Sequence, residues 1–348
     1  MIDLQHLVRP NIRKLSSLFQ QGDGQPESPR RIALDANENP YNRPLNRYPS
    51  GFQHDLKARL AKLKGVGEKE IFSGNGSTEI IDLCYRIFCQ PQTDNAVAIE
   101  PTCRLYGHFA AVNDVEYRPV PLSHDFQLDA DRLLKACDRH TKLVWLCSPN
   151  TPTGNTLEVK EIEKVARTFQ GMVIVDEAYT EFSRQPSFRQ RLEEFPNMIV
   201  LNTFSKAWGG AAIRLGVAYA QEAVIRLFDM IRPSYNLNML TQEQAVELLR
   251  HRYDIEDWTR ILLLERNRMM KAFESLACCE RVYPSSANFF LARMKDARSV
   301  YNYLAEKGIR VHDCSHEPLC EDCLRITIGS KAENAEILGI LRYYNPAE

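Results

Sequence analysis

Between residues 70 and 220 the chain alternates short apolar runs with stretches of helical period, and no other feature limits its possible folds as sharply. Five runs, at 95–100, 143–148, 172–176, 198–202 and 215–220, lack the polar residue at every second position that marks a strand with one wet face. Such strands are buried on both sides, as in a mostly parallel sheet covered by helices. Between the runs, Ile80, Ile81, Cys84, Ile87 and Phe88 recur at helical spacing. The expectation is an α/β fold with ligands at the carboxyl ends of the strands.

After Pro233 the texture changes. A helical tract over 241–276 precedes strand-like runs at 287–293, 309–312 and 324–328, with a helical stretch over 297–307 between them. The chain therefore reads as an N-terminal arm (1–40), a large α/β domain (41–235) and a smaller α+β C-terminal domain (236–348). Gly22-Asp23-Gly24-Gln25-Pro26 reads as a loop within the arm. With 44 Lys and Arg against 45 Asp and Glu, the net charge of -1 offers no electrostatic case for nucleic acid or an acidic membrane. No apolar stretch approaches a membrane span, and Met1 to Leu18 lacks the apolar core of an export signal, so the expected location is cytoplasmic and the expected partners are small molecules. The ten cysteines are scattered through apparent helices and strands and read as reduced thiols. His312, Cys314, His316, Cys320 and Cys323 have one Cys-x-x-Cys pair but no second well-spaced pair, so no metal is expected.

Four segments carry chemistry. Ser73-Gly74-Asn75-Gly76-Ser77-Thr78 is a turn leading into a helix, where free backbone N–H groups suit a phosphate. Ser148-Pro149-Asn150-Thr151-Pro152-Thr153-Gly154 is a fixed turn directly after an apolar run. In Val173-Ile174-Val175-Asp176-Glu177-Ala178-Tyr179 a carboxylate closes a buried strand, which is costly unless a cation meets it; a protonated pyridine nitrogen is one such partner. In Thr203-Phe204-Ser205-Lys206-Ala207-Trp208, followed by Arg214, a lysine after a strand can hold an aldehyde cofactor as a Schiff base.

The series Asp35-Ala36-Asn37-Glu38-Asn39-Pro40, Asn46-Arg47-Tyr48-Pro49, Gly74-Asn75-Gly76-Ser77, Ser148-Pro149-Asn150, Asp176-Glu177-Ala178-Tyr179, Ser205-Lys206 and Leu324-Arg325-Ile326-Thr327 resembles the histidinol-phosphate aminotransferases. These are fold-type I enzymes dependent on pyridoxal 5'-phosphate, and the resemblance covers nearly the whole chain. It implies that Lys206 holds the cofactor covalently, Asp176 pairs with its ring nitrogen and Tyr179 bonds its ring oxygen. It implies that Thr203, Ser205, Arg214 and the Gly76, Ser77 and Thr78 backbone hold the cofactor phosphate, with Tyr48 reaching it from the second subunit of a homodimer. Arg325 and Asn37 are the implied substrate residues, with an amino donor and a 2-oxo acid as substrates.

The chain departs from that pattern at four places. Thr151 stands where the family has an asparagine that bonds the ring oxygen, and Cys103 stands where a tyrosine stacks on the ring. His312 replaces an arginine for the substrate phosphate, and Ser17-Leu18-Phe19 lacks a tyrosine of the same site. The expected activity is transfer of an amino group from histidinol phosphate to 2-oxoglutarate. Two alternatives stand beside it: another substrate or a threonine-phosphate decarboxylase reaction on the same scaffold, and a non-catalytic protein that binds the cofactor.

Overall fold

The computed structural model describes residues 4–15, 32 and 34–344. The turn at 22–26 and the departure at 17–19 lie outside the described residues. Seven strands form the larger sheet: β1 (Ile71–Asn75), β2 (Asn95–Glu100), β3 (Glu116–Pro121), β4 (Thr141–Cys147), β5 (Met172–Asp176), β6 (Met198–Thr203) and β7 (Leu215–Tyr219), in the order β1-β7-β6-β5-β4-β2-β3. The four pairings among β2 to β6 are parallel, and β7 runs antiparallel to both of its neighbours. The fold is the expected α/β architecture, a mostly parallel sheet covered by helices.

The unbroken apolar runs have the expected cause. Along β4, Leu143 and Trp145 point into one core with Ile174, Ile199 and Leu201, while Val144 and Leu146 point into the other with Val173, Val175 and Val200. The first core lies under the helix Gly76–Phe88, which supplies Ile80, Ile81, Cys84, Ile87 and Phe88; the second receives Ile162 and Val165 of the helix Val159–Thr168. Ten strand residues sealed on two faces contribute about 1.5–3 kcal/mol each for the larger side chains, which is what holds the strand ends in fixed register.

A second, antiparallel sheet contains β8 (Cys279–Val282), β9 (Phe289–Met294), β10 (His312–Asp313) and β11 (Cys323–Thr327) in the order β10-β11-β9-β8. Its core packs Phe290, Ala292, Leu324 and Ile326 against Phe273, Val300, Leu304, Ile337 and Leu341. The helical tract is two helices, Met239–Arg250 and Arg252–Glu274, separated at His251. The run at 309–312 is a strand only at its end, His312–Asp313. The arm contains two short helices, Leu4–Leu7 and Pro10–Leu15; their Leu7 and Ile12, with Val8 between them, are buried in the core beneath Gly76–Phe88. Among the described residues, no helix is long and apolar enough to cross a membrane.

Candidate active site

The carboxyl ends of β2, β4, β5 and β6 open on one edge of the large sheet. β7 begins at that edge because Leu215 pairs with Asn75 and Gly216 with Thr203. The sheet order reverses between β4 and β2, which leaves a crevice at their ends. Asn150 closes its floor: Nδ2 donates to Pro101 O at 2.9 Å and to Thr153 Oγ1 at 2.8 Å, while Thr102 Oγ1 donates to Asn150 Oδ1 at 2.8 Å. Residues after both strands are thereby tied together.

Asp176 is the last residue of β5 and is only 5% exposed. Tyr106 Oη donates to its Oδ2 at 2.7 Å and the Ala178 N–H donates to its Oδ1 at 3.0 Å. Burial pushes the carboxyl above its ordinary pKa, while both donors and the Lys206 charge pull it down. Tyr106 is in turn fixed by stacking on Trp145, with ring centroids 4.7 Å apart. This contact is not legible in the sequence, since one tyrosine in a helix carries no signal of its partner 70 residues away.

Lys206 follows β6. Its side chain reaches the open cleft yet is ringed by protein, with Nζ 5.4 Å from the centroid of the Tyr179 ring. Loss of hydration lowers its pKa first, and the Arg325 charge lowers it further, against opposing effects of Cys103 and Asp176. A lysine so placed loses its proton more readily than one in water. Tyr179 is buried and meets Phe289 edge to face, with centroids 5.1 Å apart. Burial raises its hydroxyl pKa and keeps it a donor.

At the other end of the cleft, the helix Gly76–Phe88 starts with Gly76, Ser77 and Thr78 in its first turn. Arg214, in a left-handed conformation with φ of 54°, accepts the Gly76 N–H on its carbonyl at 2.6 Å and sends Nη1 to Ser205 Oγ at 3.4 Å. A Cβ on Gly76 would fall 2.4 Å from Arg214 Nη2, and one on Gly216 would fall 2.2 Å from the Gly76 carbonyl carbon. Two glycines are needed for the helix to start this close to β7. The Ser205 N–H donates to Thr203 Oγ1 at 3.2 Å. Helix N–H groups, two hydroxyls and a guanidinium thus share one concave corner.

Arg325 lies on β11, where its Nη1 donates to Thr151 Oγ1 at 2.8 Å and its guanidinium sits 5.3 Å from the Phe289 ring centroid. His312 is the residue paired with Arg325 across β10 and β11, so both project from one face of the small sheet. Partial burial and the neighbouring Arg325 and Arg104 charges lower the His312 pKa, which favours the neutral imidazole. Cys103 is half-buried in the turn after β2, and burial followed by the Asp176 charge pushes its thiol up to about 12. Tyr48 and Asn37 are exposed on the segment 34–48, where Tyr48 stacks on Tyr235 at 4.5 Å and Asn37 has φ of 55°. Cys314, Cys320 and Cys323 are buried free thiols, and among the described residues no group of three or more His, Cys, Asp or Glu is arranged to hold a metal ion.

The family model for aminotransferase class I and II matches residues 14–341. A histidinol-phosphate aminotransferase of Bacteroides thetaiotaomicron is 50% identical over 344 residues, covering 99% of this chain and 99% of that protein. The crystal structure of the histidinol-phosphate aminotransferase from Clostridium acetobutylicum superposes with a TM-score of 0.79 at 21% identity, covering 86% of this chain and 90% of that one. That from Sinorhizobium meliloti, in complex with pyridoxal-5'-phosphate, gives 0.78 at 24% identity, covering 85% and 82%. At these identities the two structures speak to the fold.

Proposed function

The chain belongs to the class I and II aminotransferases, and on that premise we propose that it uses pyridoxal 5'-phosphate to move the amino group of histidinol phosphate to a 2-oxo acid such as 2-oxoglutarate. The observation that carries the reading is the meeting of Lys206, Asp176 and Arg325 in one cleft, where the Asp176 and Arg325 charges both act on the lysine. The residues fit the cofactor. Asp176 is a buried carboxyl with donors but, among the described residues, no cation in bonding contact, and the Gly76 corner is kept open by two glycines. Ser205, Thr203, Arg214 and the backbone of Gly76, Ser77 and Thr78 would hold its phosphate, Tyr179 and Thr151 its ring oxygen, and Cys103 would lie against its ring.

Bound there, pyridoxal phosphate supplies an electron sink for the charge left on the substrate carbon when its proton departs. Lys206 Nζ anchors the group and later carries the proton off and back as base and then acid, a role suited to its lowered pKa. The Asp176 carboxylate, held by Tyr106 and Ala178, keeps a positive ring nitrogen in place. Arg325 orients an anionic group of the substrate, with Asn37 and His312 beside it as further substrate contacts.

A homodimer is part of the reading, with Tyr48 completing the partner's phosphate corner. Leu34, Tyr41, Leu45 and Tyr48 expose 57–88% of their surface on one segment, and Trp258, Ile261 and Leu264 are exposed on the helix Arg252–Glu274; apolar groups so placed suit contact with a second copy. A reducing cytoplasm suits the ten free thiols. The test is stoichiometry with histidinol phosphate and 2-oxoglutarate: one glutamate and one ketone formed per donor consumed supports the reading. Release of carbon dioxide without loss of 2-oxoglutarate overturns it in favour of decarboxylation.

A further inference from the structure

The rim of the cleft carries a cation that the chemistry above does not use. Arg104 stands in the turn after β2, next to Cys103, with 58% of its side chain exposed, and its Nε donates to Glu317 Oε1 at 2.6 Å. Glu317 belongs to the loop between β10 and β11, so this bond joins the large sheet to the small one across the cleft mouth. The same Oε1 lies 3.5 Å from His316 Nε2.

Cationic groups line the cleft behind this pair. Arg325, Arg104 and His316 each lower the His312 pKa, and Arg325 and Arg214 each lower that of Lys206. A run of positive groups therefore leads from Lys206 through Arg325 to Arg104, with Glu317 as the carboxylate set into its outer end. Glu317 in turn helps to raise the pKa of its neighbour Glu100. Two carboxylates thus sit close together, and one of them is bonded to the outermost arginine. That arrangement is what an intramolecular stand-in for a bound anion looks like: the charge is matched, but among the described residues only the Nε of the guanidinium is hydrogen-bonded.

We propose that Arg104 is a specificity-determining residue that binds the phosphate of the amino donor, and that the Glu317 carboxylate is the stand-in which this phosphate displaces. The proposal rests on the reading that the donor is phosphorylated. A phosphate dianion brings about twice the charge of a carboxylate and three acceptor oxygens, so it uses the guanidinium fork more fully than Glu317 does. His312, neutral beside Arg325, supplies a hydrogen bond but no fixed charge at this end of the cleft. Arg104 supplies the charge instead, and release of Glu317 on binding loosens the link between the two sheets while the donor occupies the cleft.

The experiment uses the cofactor-loaded enzyme and compares kcat/KM for histidinol phosphate with that for histidinol. In Arg104→Ala the preference for the phosphorylated donor is expected to fall about tenfold or more, because a charge-assisted bond to phosphate is lost. Turnover of histidinol itself is expected to stay within about twofold, which a general structural defect would not spare. Arg104→Lys is expected to recover part of the preference. Glu317→Gln is expected to lower the KM for histidinol phosphate, since the competing carboxylate is gone; a brace needed only for folding would raise it. An unchanged preference in Arg104→Ala, with wild-type enzyme active on histidinol phosphate, overturns the proposal alone. Wild-type enzyme inactive on histidinol phosphate overturns the substrate reading and the proposal with it.

Discussion

Removing a single hydroxyl tests what supports the buried Asp176 carboxyl. In Tyr106→Phe the ring keeps its place against Trp145, and only the 2.7 Å bond to Asp176 Oδ2 is lost. The carboxylate is left with the Ala178 N–H, at 3.0 Å. A hydrogen bond to a charged group is worth about 1.5–3 kcal/mol, and about 1.4 kcal/mol moves a pKa by one unit. The Asp176 carboxyl, already raised by burial, therefore rises further. A carboxyl whose folded pKa lies above its unfolded value contributes stability below the unfolded pKa and loses it as pH rises through the folded one. The variant's deficit against wild type is thus small near pH 4 and reaches about 1.5–3 kcal/mol near pH 8. Urea unfolding of the cofactor-free protein at both pH values measures it. A deficit of the same size at both, or none near pH 8, refutes the assignment of Tyr106 to the carboxylate's charge.

Gly76→Ala places a methyl 2.4 Å from Arg214 Nη2 at a φ of +68° and should weaken binding of pyridoxal phosphate about tenfold or more, with roughly 1–2 kcal/mol lost in stability. Fluorescence titration reads the affinity, and wild-type affinity in this variant counts against Arg214 as a phosphate ligand. Glu177 is buried, and burial pushes its carboxyl up to about 7 despite bonds from the Ser187 hydroxyl and the Phe188 N–H. Its folded pKa is above the unfolded one, so its contribution fades as pH rises through about 7. Glu177→Gln should flatten the fall in unfolding free energy between about pH 6 and pH 8; a fall as steep as in wild type would place the titration elsewhere.

Much of this arrangement is legible in the residues because buried strands announce themselves. Once β5 and β6 are recognised from their apolar runs, Asp176 and Lys206 follow at the carboxyl edge by counting, and Arg214 follows from the return strand. Four features are not legible in that way. Gly216 is one more glycine in the sequence, and its need appears only when the Gly76 carbonyl carbon is found within 2.2 Å of where a Cβ would stand. The Tyr106 bond to Asp176 and the Arg104 bond to Glu317 join residues 70 and 213 positions apart, and pairings at such separation are set by tertiary packing rather than by local pattern. The break at His251 interrupts a sequence that is helical in period on both sides, so only the turn itself reveals two helices.

The central claim is that Lys206 is the covalent anchor of the cofactor and the carrier of the substrate proton. Borohydride reduction of the cofactor-loaded protein, followed by peptide mapping by mass spectrometry, tests it most directly. The expected result is the pyridoxyl mass on Lys206 alone, and no labelled peptide together with no turnover in Lys206→Ala. A label on another lysine, or full turnover in Lys206→Ala, would contradict it.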